Sequence, residues 1–380
     1  MPLPNAIRSR HLDNSNGLSM HLLEAGFEER NRPLIVLLHG FPELAYSWRK
    51  ILLPLANAGY HVVAPDQRGY GDTHGGDHRY EGDLASFRFL NLVRDTLGLV
   101  SALGHQSAAC IVGHDFGSPV AGCCALIRPD IFRSVVMMSA PFTGAPVLAN
   151  NASDSDHRSG ARTLAAEQDI HTALAALTPP RKHYQWYYST PQANHNMRHC
   201  PQGVHAFLRA YYHYKSANWK YNQPFQLRAW RADQLAQLPH YYIMNLGQGM
   251  AETVAPEMPS AEVIAACAWL TEDELSHYTR AYETTGFQGG LNWYRCVTRG
   301  DNANDLRLFS GQNIDVPSCF IAGRQDWGIF QKPGDLETMQ RETCTDLRGC
   351  HLITDAGHWV QQEQPAAVLT HLTEFLQSIS

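Results

Sequence analysis

Asp115 stands in the middle of Gly113-His114-Asp115-Phe116-Gly117, after the apolar run Ala108-Ala109-Cys110-Ile111-Val112 and before a stretch of helix formers broken only by Pro119. The pattern predicts a strand, a sharp turn and a helix, with glycines on either side letting the backbone turn tightly enough to push one side chain up from the sheet edge. The residue so presented is an aspartate where acyl-transfer enzymes of this design carry serine. A carboxylate in that position attacks a saturated or strained carbon and becomes an ester of the protein. The same pentapeptide also reads as an ordinary strand-to-helix turn with Asp115 as N-cap, and only the rest of the chain separates the two.

Two further groups complete a reactive set. Cys319-Phe320-Ile321-Ala322 predicts a strand whose end, Gly323-Arg324-Gln325, delivers Asp326 to the same sheet edge, and a short strand around Leu352-Ile353 leads through Asp355-Ala356-Gly357 to His358. Nucleophile, then acid, then histidine, each after a sheet strand, is the chain order in which α/β hydrolases assemble their triad. Ser107 precedes the strand and lacks the second glycine, so it is no competing nucleophile.

These residues need a mostly parallel sheet to position them. Residues 8 to 26 predict an antiparallel hairpin at the sheet edge, turning at Asn14-Ser15-Asn16-Gly17. Leu34 to Leu38 is a continuous apolar run, the mark of a strand buried on both faces. It ends in His39-Gly40-Phe41-Pro42-Glu43, where backbone N–H groups face the edge at which open α/β sheets bind ligands. Helical spacing covers Ala45 to Ala58, a strand His61 to Pro65, a glycine-containing loop Asp66 to Thr73, a helix Phe87 to Leu103 with a core stripe at 87, 90, 93, 97 and 100, and a strand Val135 to Met138. The alternation stops at Pro141 and resumes near Val316. Residues 1–141 and 311–380 therefore read as an α/β core and 142–310 as an inserted, mainly helical cap. Within it Asn150 to Gly160 is polar and loose, Ala161 to Leu177 an amphipathic helix stopped by Pro179-Pro180, and residues 365 to 378 form a closing helix of the core.

Composition narrows the function. The 380 residues are 44% hydrophobic and 17% charged, with a net charge of -6, which describes a folded chain with no basic patch for nucleic acid. No stretch approaches the roughly 18 consecutive apolar residues of a membrane span, and the start lacks the pattern of a secretory leader, so a cytoplasmic protein is expected. Nine cysteines without a repeating spacing predict buried free thiols. His195 and His199 share a helical face, as in some zinc sites, but no carboxylate or third ligand accompanies them, and no metal is assigned. The sequence leaves the oligomeric state open, a homodimer included.

The chain resembles the epoxide hydrolases of the α/β-hydrolase fold. The resemblance runs from about Leu34 to the C-terminus and rests on His39-Gly40-Phe41-Pro42, Gly113-His114-Asp115-Phe116-Gly117, Tyr184-Gln185, Gly290-Leu291-Asn292-Trp293-Tyr294-Arg295, Asp326 and Gly357-His358-Trp359. It implies that Asp115 is the nucleophile, Asp326 the orienting acid and His358 the base. It further implies that Tyr184 and Tyr294 in the cap bind the epoxide oxygen, and that the backbone N–H groups of Phe41 and Phe116 form the oxyanion hole. His39, Pro42, Gln185, Trp186, Trp293 and Trp359 are then expected around the substrate, a small apolar epoxide consumed with water and without cofactor. Phe116 stands where the family commonly has tryptophan, and the stretch 148–180 is longer than a typical cap entry, which bears on substrate size. A haloacid or haloalkane dehalogenase uses the same three residues but needs a donor for the halide, which Phe116 does not supply; a non-catalytic binding homologue would have no use for a nucleophile paired with a base.

Overall fold

The computed structural model describes residues 3–29, 31–148 and 164–379. The polar stretch 150–160 and the first residues of the expected helix at 161 lie outside them.

The expected hairpin forms from β1 (Arg8–Asp13) and β2 (Ser19–Ala25), and the buried apolar runs become β3 (Leu34–Leu38), β4 (His61–Pro65), β5 (Cys110–His114) and β6 (Val135–Met138). The chain then leaves the sheet and pairs Arg181–His183 (β7) with Ile243–Asn245 (β8) in a separate antiparallel ribbon. It returns as β9 (Ser318–Gly323) and β10 (Leu347–Ile353). The eight-stranded sheet has the order β1-β2-β4-β3-β5-β6-β9-β10, parallel from β4 to β10 and antiparallel at the β1-β2 edge. β3, β4, β5, β6 and β9 are buried along their whole length, as the unbroken apolar runs require when helices cover both faces.

Three details differ from the sequence reading. β10 begins at Leu347, well before the apolar pair Leu352-Ile353, because as the last strand of the sheet it alternates exposed and half-buried residues and carries no apolar run. The span 45–58 splits into a 3-10 turn, Ala45–Trp48, and a short helix α1 (Leu52–Asn57). In α2 (Phe89–Ala102) the buried face is Phe89, Leu92, Val93, Thr96, Leu99 and Val100, with Asp95 buried among them. That rotation is driven by a polar anchor, since the Asp95 carboxylate accepts from Arg68 Nε and Nη2 at 2.7 Å each.

The elbow between β5 and α3 (Gly117–Ile127) is where the sheet presents its reactive group. Asp115 has φ +50°, a left-handed conformation uncommon for a residue with a side chain, and its carboxylate rises above the carboxyl ends of the strands. Glycine is obligatory on both sides for packing reasons. A Cβ on Gly113 would lie 2.0 Å from Gly117 O, and one on Gly117 would lie 2.4 Å from Leu38 O and 2.6 Å from His39 O. Beyond β6 the chain folds as α4 (Leu164–Ala175), α5 (Tyr184–Tyr188), α6 (Gln192–Arg198), α7 (Gly203–Lys215) and further helices that include Glu272–Thr285 and Gln288–Thr298. Gly117→Ala is therefore expected to lower stability by about 1–3 kcal/mol through backbone overpacking, read as a drop in the urea midpoint with an unchanged slope; an unaltered midpoint would contradict the close approach of α3 to β3.

Candidate active site

The three residues chosen from chain order meet at the sheet edge. His358 Nδ1 lies 3.1 and 3.2 Å from the two oxygens of Asp326, whose Oδ1 also accepts from Gly328 N at 2.7 Å. On the other side of the ring, Nε2 is 3.2 Å from Asp115 Oδ2, close enough for ion pairing yet off the alignment of a hydrogen bond. Asp115 Oδ1 accepts from Phe41 N at 2.9 Å. A Cβ on Gly40 would fall 2.4 Å from Asp115 Oδ1 and 2.7 Å from Phe116 N, so glycine at 40 is what lets the two backbone donors and the carboxylate converge. Asp326 and His358 are buried, and Asp115 keeps slight exposure.

Burial works against charge on Asp115, but His358, then Lys215 and His114, outweigh it and hold the carboxyl well below the usual range. The partner moves the opposite way. Burial and Lys215 act against the proton on His358, the carboxylates of Asp326 and Asp115 outweigh them, and its pKa is pushed up to about 9. Each group thus favours the charged form of the other, the anion on Asp115 and the proton on His358.

Above them lie Tyr184, the first residue of α5, and Tyr294 on the helix Gln288–Thr298, with ring centroids 5.9 Å apart. Tyr294 packs edge-on against Phe41 at 5.5 Å and Phe116 at 4.8 Å, the two residues that supply backbone N–H groups beside Asp115. The Tyr184 hydroxyl donates to Gln331 Oε1 at 3.2 Å and accepts from Gln185 Nε2 at 3.2 Å. Burial first, and the Asp115 charge second, push both phenols well above their ordinary pKa, so both are neutral donors. The Tyr294 helix reaches the elbow because its start is bare. A Cβ on Gly289 would lie 2.0 Å from Gly69 O, and one on Gly290 would lie 2.8 Å from Phe41 Cδ2.

The remaining expected contacts divide. Gln185 joins the tyrosine pair. Trp293 is buried edge-on against Phe116 at 5.5 Å, with its indole N–H donated to Arg68 O at 3.0 Å, so it backs the site without offering a donor. His39 is wholly buried, its Nδ1 donating to Gly40 O at 2.9 Å and its Nε2 accepting from Gln67 N at 3.1 Å. Burial pushes its pKa down, which suits a neutral ring that shapes the turn. Pro42 and Trp359 are tied to α7, the proline carbonyl accepting from Tyr212 Oη and the indole donating to Tyr212 O, each at 2.9 Å. Trp186 lies elsewhere, stacked on His171 beside a cap cavity of about 700 Å³ that also has Lys182, His195 and His199 in its wall. None of Asp115, Asp326, His358, Tyr184 and Tyr294 lines that cavity, so its size does not mark the chemistry.

Four contributors were not read from the sequence. Glu43 and His114 form a fully buried pair at 2.5 Å, with His114 Nε2 2.7 Å from the carbonyl of His358. Burial opposes the Glu43 charge, and His114 and His39 offset it, holding the carboxyl below its usual value. Ser139, itself at φ +65°, donates to His358 O at 3.2 Å, and Lys215 lies buried at the end of α7. The position of His114 beside Asp115 was the one available signal, since a histidine inside an apolar strand must find partners.

The residues from 33 to 365 match the α/β hydrolase fold family. Among curated relatives, epoxide hydrolase B of Mycobacterium tuberculosis is 32% identical over 363 residues, which is 96% of each chain. The chain belongs to the epoxide hydrolases of this fold. Epoxide hydrolase A of the same organism is also 32% identical, over 378 residues and 98% of both chains. Of solved structures, an epoxide hydrolase from an endophytic Streptomyces superposes with a TM-score of 0.78 at 30% identity, covering 99% of this chain and 97% of the other. Potato (Solanum tuberosum) epoxide hydrolase I gives 0.74 at 28%, covering 98% and 99%. These matches extend over nearly the whole chain.

Glu43→Ala would strand four buried donors at once, His114 Nδ1, the Gly40 N–H at 3.3 Å and the side-chain amides of Gln361 and Gln362, which reach Glu43 Oε1 at 2.9 and 3.1 Å. A loss of about 3–5 kcal/mol is expected, measured by equilibrium unfolding, whereas a loss under about 1 kcal/mol would mean the donors find other partners.

Proposed function

We propose that this epoxide hydrolase converts a small apolar epoxide to a vicinal diol through an ester on Asp115. The observation that carries the reading is the edge-on packing of Tyr294 against Phe41 and Phe116, the residues flanking the Asp115 carboxylate, with Tyr184 at its side. An epoxide carbon is strained, but its oxygen leaves poorly unless the charge growing on it is stabilised. Two neutral buried phenols supply that stabilisation without offering a competing nucleophile.

Asp115 forms a bond to an epoxide carbon as the ring C–O bond breaks, and the electron pair goes to the oxygen held by Tyr184 and Tyr294, which takes up a proton. Esterification removes one of the two carboxylates that raise the pKa of His358, so the imidazole releases its proton and becomes a base. Held by Asp326, it deprotonates a water that attacks the carboxyl carbon of the ester. Phe41 N–H already points at this group, and with Phe116 N–H would hold the tetrahedral oxyanion. The oxyanion collapses, the bond between the Asp115 carboxyl carbon and the substrate oxygen breaks, that oxygen takes the second proton of the attacking water, and the diol leaves, one oxygen of Asp115 having come from water.

Dehalogenation is less well supported. Phe116 has no donor and the Trp293 N–H is engaged by Arg68 O, leaving a departing halide unpartnered on that side. The crowd of Phe41, Phe116, Tyr188 and Trp293 favours aryl or alkyl substituents. All nine cysteines are free and eight are buried, which supports a cytoplasmic setting; among the described residues no helix is long and apolar enough to cross a membrane.

A single turnover in oxygen-18 water, with enzyme in excess over a styrene-oxide-type epoxide, should put label into the Asp115 peptide and leave the first diol mostly unlabelled. Label entering the diol directly would sink the ester route. His358→Gln should accumulate the esterified protein, with diol release slower by about 10²–10⁴-fold, and intact-mass spectrometry reads this directly. Tyr184→Phe and Tyr294→Phe should each slow ester formation by about 10²–10³-fold with little effect on its hydrolysis, as followed by rapid quench; equal losses in both steps would argue for a packing role alone.

A further inference from the structure

Lys215 is the last residue of α7 and is only 4% exposed. No carboxylate among the described residues forms an ion pair with it. Its ammonium lies over four aromatic rings instead, 5.4 Å from the centroid of Tyr211, 5.7 Å from Tyr241, 5.6 Å from Tyr242 and 5.1 Å from Trp359. The negative ring faces attract a cation but leave its charge unneutralised, so the field of Lys215 reaches its surroundings. Those surroundings are the triad: the charge bears on Asp115, Asp326 and His358 alike.

The same residue is joined to the histidine loop by its backbone. Lys215 O accepts from His358 N at 2.9 Å, and a Cβ on Gly357 would lie 2.6 Å from that carbonyl oxygen. Glu363 ties the two segments together, accepting from Ala217 N at 2.8 Å and from Gly357 N and Trp359 N at 3.0 Å each. An unpaired cation held in fixed register with the base is an arrangement that packing alone does not call for.

We propose that Lys215 is a positioning residue for the reaction, its caged ammonium making His358 give up its proton once Asp115 has become an ester. The inference rests on the ester mechanism above. In the resting site two carboxylates, Asp115 and Asp326, face two cations, His358 and Lys215. Esterification removes one negative charge, leaving Asp326 against both cations, and the imidazolium is the one of the two beside an acceptor. The ring-opened oxygen needs one proton and His358 has one to lose, so charge and protons balance with His358 neutral when water must be activated. Lys215 thereby couples completion of the first step to readiness for the second.

The groups that face His358 are Asp326 after β9, Asp115 at the elbow, Lys215 on α7 and His114 at the end of β5. Glu363, which holds the histidine loop, has its own pKa pushed up to about 7 by burial despite its three N–H donors, so it titrates in the range of interest.

The experiment measures ester hydrolysis against pH in single turnovers, with rapid quench and mass spectrometry, for wild type, Lys215→Met, Lys215→Arg and Glu363→Gln. Loss of the cation should move the acid limb of hydrolysis up by about one pH unit, a slowing that grows to roughly tenfold on the acid side of both limbs, while ester formation changes by less than about threefold. Lys215→Arg should restore the limb. A limb that stays in place in folded Lys215→Met, or that moves in Glu363→Gln alone, would overturn the proposal, and Lys215→Gln provides the same reading if the methionine variant is insoluble. A packing role would lower the thermal midpoint and slow both steps without moving the limb. Wild type that forms no ester with any epoxide would instead overturn the mechanism on which the proposal rests.

Discussion

The left-handed backbone of Asp115 is the constraint around which this molecule is arranged. At φ +50° a residue with a side chain is strained by about 1–3 kcal/mol, and the turn persists because its surroundings leave no alternative. Gly113 and Gly117 nearly touch, α3 lies against the carbonyls of Leu38 and His39, and Gly40 closes from the neighbouring strand. One geometry results: the carboxylate stands clear of the sheet with Phe41 N–H on one oxygen and His358 beside the other. Relaxing the turn would turn the carboxylate away from both.

The proposed attack of a carboxylate on an epoxide calls for help on the far side of the substrate, which the sheet cannot provide. In that proposal the help comes from the segment that carries Tyr184 and Tyr294, which is fastened at two places. On one side the Gly289-Gly290 start of the tyrosine helix meets Gly69 backbone to backbone, with the Trp293 indole bonded to Arg68 O. On the other, the end of α7 shares its backbone with the histidine loop through Lys215 O and Glu363. Arg49 adds a bridge, with Nε on Glu274 at 2.8 Å and Nη1 on Gln362 at 2.7 Å. Tyr184 and Tyr294 are thereby placed by rigid contacts between two parts of the chain.

Charge is managed by the same packing. Within one buried volume the site holds two carboxylates, Asp115 and Asp326, the Glu43-His114 pair, His358 and a lysine, and Tyr184, Tyr188, Tyr242 and Tyr294 near them remain neutral because burial opposes the phenolate. In such surroundings the loss of a single charge at Asp115 changes the proton affinity of its neighbours far more than it would in water, and the proposed mechanism uses this to make one histidine a cation for the first step and a base for the second.

Much of this was legible in the chain itself. The apolar runs at Leu34–Leu38 and Cys110–Val112, the glycines around Asp115, and the order aspartate, acid, histidine depend on local backbone geometry and on burial of whole strands, which sequence expresses directly. Tyr184 and Tyr294 were found through family resemblance, since nothing local distinguishes them from the other cap aromatics. What the sequence could not express were properties that belong to pairs distant in the chain. The motifs around His39, Pro42 and Trp359 do not reveal that their polar groups are bonded within the scaffold, nor does the sequence reveal that Trp186 faces another cavity. Glu43 with His114, and Lys215 with its four rings, acquire meaning only when segments far apart in the chain are brought together, 71 residues in the first case. Residue type and local spacing settle which chemistry is available; which side chain remains free to do it is decided by the partners that tertiary packing supplies, because a buried polar group left without one is too costly to keep.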